Sequence, residues 1–193
     1  MMDIDKIVKI LNEKSKVIAI KTDTVYGLIC NAHDKKAVEK IYDIKSRDKM
    51  KPLSLFVKNI DEVKKIVADE NLTDENISIM KRYWPGALTI VFKKRDDTYD
   101  HMTKNTTGIG IRIPKDELLL NLLSVCDFPL AETSCNESGE EPYRNYDEIK
   151  EKLGDKIDMI IDGGDVTDNT ASTVISLASN KMQILRTGNI KLV

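Results

Sequence analysis

Five cations are candidates for chemistry because of what surrounds them: Lys45, Arg47 and Lys51 in "KSRDKMKPL", Arg112 in "IGIRIP" and Arg186 in "LRTG". Short segments rich in hydroxyls and amides accompany them: "KTDTVYGL" (21–28), "ETSCNESG" (132–139) and "ASTV" (171–174). These bring Thr22, Ser134, Asn136, Ser172 and Thr173. Arginine grips a carboxylate or phosphate through paired N–H bonds, lysine supplies a compact charge, and hydroxyls fill the remaining lone pairs. Such a set suits anionic ligands, with charge stabilised as one of them reacts.

Each residue also has a quieter reading. Lys45, Arg47, Lys49 and Lys51 can be a solvated helix end, favourable against the helix dipole. Arg112 sits among isoleucines, and strand alternation puts Ile109, Ile111 and Ile113 on one face and Arg112 on the other. A structural salt bridge and a ligand carboxylate both remain open for it. Asp23 can cap the turn after its strand. Asn136, Ser138 and Gly139 make a turn without any ligand, and "DGG" (162–164) is most simply a turn. "WPG" (84–86) reads as a helix stop with a packed indole. Cys135 beside Ser134 is read as a bystander thiol, because neither His33 nor His101 is a convincing partner.

Other devices are absent from the sequence. There is no G-x-x-x-x-G-K-[ST], "TGIGIRI" lacks the third glycine of a dinucleotide loop, and "CNESG" is not a nucleophile elbow. Three separated cysteines and two histidines argue against a disulfide framework, a zinc site and a Ser-His-Asp triad. A reducing, cytoplasmic setting fits best.

The elements that must position these groups follow from periodicity. Helices are predicted over 3–14, 34–47, 61–69, 74–84, 116–126 and 145–154, with Asp34 as an N-cap and Gly154 closing the last. Strands are predicted over 17–21, 53–57, 88–94, 109–114, 128–133, 157–162, 172–178 and 182–188, and 95–108 is read as irregular. Strands and helices alternate early, while late strands follow one another. The expected fold is α/β: an open, twisted, mixed sheet flanked by helices, with ligands collecting at strand ends.

The 193 residues suffice for one domain, expected to span 1–193, and the net charge of −2 does not indicate a globally basic nucleic-acid binder. The longest apolar runs are a few residues, so no membrane span is expected, and the N-terminus has no continuous apolar stretch like that of a secretory signal.

Eight segments occur in order: "KTDTVYGL", "IKSRDKMKPL", "WPGALT", "IRIP", "ETSCNESG", "DGG", "STV" and "LRTG". Together they resemble the YrdC-like family of threonylcarbamoyl-adenylate synthases, in its short, single-domain form, from about residue 17 to 188. The resemblance implies a deep, positively lined cavity. It also implies a reaction in which L-threonine, bicarbonate or CO2 and ATP, with Mg²⁺, give threonylcarbamoyl-AMP and pyrophosphate. A partner transferase would then modify adenosine 37 of tRNA, and weak contact with tRNA itself is a further expectation. By position, Thr22, Arg112, Ser172 and Thr173 look like threonine contacts. Lys45 and Arg47 resemble the catalytic, phosphate-binding pair, with Lys51 nearby, while Ser134, Asn136 and Arg186 look like nucleotide contacts. Lys21, Ala87, Thr133 and Cys135 depart from the family pattern, but none removes an anion-binding group. Two alternatives keep the cavity: an RNA-binding module, betrayed by salt-dependent tRNA binding without ATP use, and a carbamoyl-adenylate enzyme that would take carbamoyl phosphate.

Overall fold

The computed structural model describes residues 3–104, 106–179 and 181–192. Helix α1 (Ile4–Asn12) begins at Asp3, whose carboxylate accepts the Lys6 amide proton, and it buries Ile7 and Leu11. Strand β1 (Ile18–Lys21) follows, and the chain turns back through 22–25 into β2 (Tyr26–Asn31). No strand is predicted over 26–31, and the structure corrects this: Ile18 pairs with Ile29 and Lys21 with Tyr26 in an antiparallel hairpin. Five of the six β2 residues are buried, so the run has no polar alternation to announce a strand.

Helix α2 (Lys35–Ile44) is capped by Asp34, which accepts from the amides of Lys36 and Ala37. It stops short of the predicted end at 47. The Ser46 amide bonds Asp43 O at 3.2 Å and the Arg47 amide bonds Tyr42 O at 3.0 Å, a paired closure in which Ser46 takes φ +47°. That left-handed residue is uncommon for serine and separates the directions of Lys45 and Arg47.

The chain continues through β3 (Ser54–Phe56), α3 (Ile60–Ile66), a 3-10 turn (Asp69–Asn71), α4 (Asp74–Tyr83) and β4 (Leu88–Lys93). Next come α5 (Asp100–Thr103), β5 (Gly108–Arg112), α6 (Glu117–Val125) and β6 (Leu130–Ser134). The last elements are α7 (Tyr146–Leu153), β7 (Met159–Ile161), β8 (Thr173–Ser176) and β9 (Gln183–Arg186). The 95–108 segment, read as irregular, thus holds the short α5; its Asn105 lies outside the described residues. Gly154 does end α7, but with right-handed φ −53°, so the cap does not use glycine's left-handed freedom.

The strands form one mixed sheet in the order β7-β1-β2-β6-β3-β5-β4-β8-β9. Helices cover both faces, as expected. One face packs Ala19, Leu28, Leu55, Ile90 and Ile111 against α2, α4 and α7 in the larger core. The other packs Ile18, Ile20, Ile29, Phe56 and Leu130 against α1 and α6. On this second face the helical cover stops partway, and the residues continuing the same face are polar, small or aliphatic. Pairing aligns Glu132, Ser54, Gly110 and Val91 in one row across β6, β3, β5 and β4. That uncovered floor becomes the cavity.

The "DGG" turn is clasped to the β1–β2 hairpin. The Tyr26 hydroxyl donates to Gly164 O (2.9 Å) and accepts from the Gly163 amide (3.0 Å), while Lys21 Nζ donates to the carbonyls of Gly163 and Asp165. Gly164 needs its φ of +76°, and a Cβ at Gly163 would lie 2.6 Å from Lys21 Cβ. Tyr26→Phe should cost about 1–2 kcal/mol, since it strands a carbonyl and an amide. Thermal unfolding should show a Tm lower by a few degrees, and an unchanged Tm would refute the clasp.

Candidate active site

The cavity holds about 500 Å³, within the range of small-molecule sites. Gly27, Gly108 and Gly110 each leave their own part of its floor without a side chain. A Cβ at Gly110 would sit 3.3 Å from Ser54 Oγ and project into the space.

One wall is the turn between β1 and β2. The Thr22 hydroxyl donates to Val25 O (2.7 Å) and accepts from the Thr24 amide (3.0 Å), so a tight turn fixes both threonines against the cavity. Arg112, buried at 3% exposure, reaches this turn from the end of β5. Its Nη1 donates to Thr24 Oγ1 (3.2 Å), its Nε donates to Gly86 O (3.0 Å), and its Nη2 pairs with the Asp23 carboxylate. The guanidinium carbon also lies 5.5 Å from the Phe56 ring centroid. Asp23 is thus the salt-bridge partner that the sequence left open, and not merely a turn cap. Three of the five guanidinium N–H groups are engaged among the described residues, leaving two. "WPG" is structural as read: the Trp84 indole is buried and donates to Leu88 O, while Gly86 supplies the carbonyl that orients Arg112.

A second wall comes from the end of α2 and from β6. Arg47 lines the cavity, steadied by its bonds to Lys51 O (3.3 Å) and Pro52 O (3.1 Å). Lys45 is not a solvated helix end. It is fully buried behind the wall, and its ammonium donates to Ser134 O, Asn136 O (2.8 Å) and Asn136 Oδ1 (2.7 Å). Burial, with the Arg47 charge beside it, pushes the amine down to about 8. Ser134 lines the cavity and donates to Asn136 Oδ1 at 2.6 Å. Asn136 is buried, its amide nitrogen donating to Glu137 O and Glu140 O, so it knits the loop from behind. The Lys51 side chain is exposed and not part of the cavity lining; what the residue contributes is its carbonyl.

The rim is formed by β8 and β9. Arg186 donates to Ser172 O (3.0 Å) and Ser172 Oγ (3.1 Å), and Ser172 Oγ meets Thr89 Oγ1 at 2.9 Å. Arg186, Ser172 and Thr89 all line the space. Thr173 faces elsewhere: its hydroxyl donates to Ile190 O and accepts from the amides of Gly188 and Ile190, tying down the following segment.

The cavity therefore gathers Thr22, Arg47, Arg112, Ser134, Ser172 and Arg186 from distant segments. Lys45, Asn136 and Thr173 stand just behind it. Thr24 belongs to the hydroxyl-rich "KTDTVYGL" segment already singled out, whereas Ser54, Thr89 and, above all, Glu132 were missed. Alternation along β6 was the available signal, because Glu132 shares a face with Leu130 and Ser134. Burial raises the Glu132 carboxyl above the usual carboxylate range, against the opposing pull of Arg112, Arg186, Lys45 and Arg47. Cys135 is buried and its thiol is pushed up to about 12 by that burial, consistent with a bystander. Among the described residues, no group of three His, Cys, Asp or Glu side chains is placed to hold a metal ion.

An open mixed sheet with a cavity on its uncovered face, lined by Arg47, Arg112 and Arg186, defines an α/β protein whose lining suits anionic small molecules. A Sua5/YciO/YrdC family model, described as telomere recombination, matches residues 11–188, and the chain belongs to that family. A putative threonylcarbamoyl-AMP synthase of Methanocaldococcus jannaschii is 38% identical over 182 residues, covering 94% of this chain and 83% of the relative. The threonylcarbamoyl-AMP synthase of Bacillus subtilis is 33% identical over 181 residues, covering 93% of this chain and 52% of the relative. Among solved structures, P. abyssi Sua5 complexed with L-threonine superposes with a TM-score of 0.89 at 31% identity, covering 96% of this chain and 54% of that one. The chain thus spans about half the length of these last two relatives.

Proposed function

We propose that this chain is a threonylcarbamoyl-AMP synthase acting as one domain in the cytoplasm. It joins L-threonine, bicarbonate or CO2 and ATP into threonylcarbamoyl-AMP, releasing pyrophosphate. The product serves a partner transferase that modifies adenosine 37 of tRNA. The observation that carries this reading is the convergence of Arg47, Arg112 and Arg186 with the hydroxyls of Thr22, Thr24, Ser134 and Ser172 in one cavity.

The threonine carboxylate takes the two remaining N–H groups of Arg112, and the Thr22 and Thr24 turn, with Ser172, walls the amino acid. Arg47 keeps three of its five donors for phosphate, as does Arg186, because each spends two on the described protein. Ser134 contacts the nucleotide, while Lys45 and Asn136 hold the loop that presents it. The threonine amine captures the one-carbon unit, and the resulting carbamate oxygen attacks the α-phosphorus. Arg47 and Arg186 meet the charge that builds on pyrophosphate. Mg²⁺ travels with the triphosphate, which together with water supplies oxygen ligands, a mode that suits a lining with a single described carboxylate.

The purified chain should release pyrophosphate from ATP only when L-threonine and bicarbonate are both present, as read by a coupled phosphate assay. Release indifferent to threonine, or dependent on carbamoyl phosphate instead, rejects the assignment.

A further inference from the structure

Glu132 is the single acidic side chain among the described residues that line the cavity. It stands mid-floor, paired in register with Ile29 on one side and Ser54 on the other. Its carboxylate makes no hydrogen bond or salt bridge with a described residue, although Arg112, Arg186, Lys45 and Arg47 all exert their charge on it. The hydrogen bonds that those four cations make among the described residues go to other oxygens: Arg112 to Asp23, Thr24 and Gly86, Arg186 to Ser172, Arg47 to two carbonyls and Lys45 to Ser134 and Asn136. A structural ion pair therefore does not explain the residue. Placing a carboxylate on the floor of a cavity for anionic substrates works against their binding unless something cationic arrives too. An α-amino acid brings such a group in its ammonium.

We propose that Glu132 is the residue that binds this ammonium and removes its proton. The inference rests on the synthase reading. The ammonium must become a neutral amine before its lone pair can act. Glu132 accepts one proton, leaving R–NH2 and a neutral carboxyl. The amine lone pair then forms the N–C bond to CO2, and one C=O electron pair moves onto oxygen. The second N–H proton leaves to cavity water, giving the N-carboxylate. Glu132 returns its own proton to water before the next turnover. Burial places the acid on the correct side of this task, since a carboxyl held above its usual range is a stronger proton acceptor than an exposed one.

Glu132→Gln keeps shape and hydrogen-bonding capacity but cannot take the proton. It should lower kcat by about 10²-fold or more, with KM for threonine changed only a few-fold. The pH profile is the decisive readout. Wild-type activity should rise through an acid limb as Glu132 ionises, and the variant should lack that limb and regain rate toward alkaline pH as solvent frees the amine. Burial pushes the Lys45 amine down to about 8, so any alkaline limb it causes should be common to both proteins. Glu132→Asp, which keeps a carboxyl drawn back by one methylene, should retain the acid limb at reduced kcat. Wild-type kcat and an intact acid limb in Glu132→Gln would overturn the proposal. So would a loss confined to the Mg-ATP KM. If wild type itself releases no pyrophosphate in response to threonine, the synthase reading fails and this inference falls with it. Activity in wild type with an indifferent Glu132→Gln removes only the base.

Discussion

Arg112→Ala should lower kcat/KM for threonine by about 10²–10³-fold, most of it as a raised KM. The guanidinium is fixed on three sides, by Asp23, Thr24 and Gly86, so its two remaining donors are already aimed before a carboxylate arrives. The same substitution leaves Asp23 without its partner at 12% side-chain exposure, so it should also destabilise the fold by about 3 kcal/mol. For a chain of this size that is a Tm loss of roughly 6–12 °C. Asp23→Asn combined with Arg112→Ala separates the two effects. The double variant should recover stability, because no buried charge is stranded, but not threonine affinity. Recovery of both would show that Arg112 serves only the fold. Arg112→Lys should fall between wild type and alanine, keeping charge but losing the fork.

Lys45→Met should reduce kcat by about 10²–10³-fold while shifting Tm by only a few degrees. The two consequences diverge for a physical reason. Removing the amine leaves the carbonyls of Ser134 and Asn136 unsatisfied, which destabilises. It also relieves the desolvation of a buried charge, which stabilises, and burial is the main cause of the depressed amine. The loop geometry has no such compensation. Ser134 ends β6, and the Lys45 ammonium ties it to Asn136 in the loop that follows, so its position shifts when that tie is lost. Arg47→Met, by contrast, removes a cavity cation without touching the loop, and comparison of the two in steady-state kinetics tests whether Lys45 acts through Ser134. Identical KM and kcat changes in both would contradict that division.

Much of this site could be read in the residues, and the failures have identifiable causes. Asp34 announced its helix because a cap is a local device, contained in three or four residues. Arg112 announced itself because charge within an isoleucine-rich strand is costly without a partner. The partner, Asp23, is a contact between residues far apart in sequence, invisible to any local pattern. Strand β2 escaped because burial on both faces erases the period-two signal. In "KSRDKMK" nothing in composition distinguishes the lysine that turns inward from those that stay in water. The distinction comes from the left-handed Ser46, which sends Lys45 behind the wall and Arg47 into the cavity. Glu132 was passed over because its meaning depends on which helices stop short of covering β6.

Strand β9 is the last in the sheet, joined to a neighbour on one side only, and all four of its residues are exposed. It nevertheless carries Leu185 and Arg186 into the cavity lining. A terminal strand is where a sheet frays first, at a free energy well below that of global unfolding. Catalytic competence is therefore bounded by a local opening equilibrium, and heat can silence this protein while most of its secondary structure still persists.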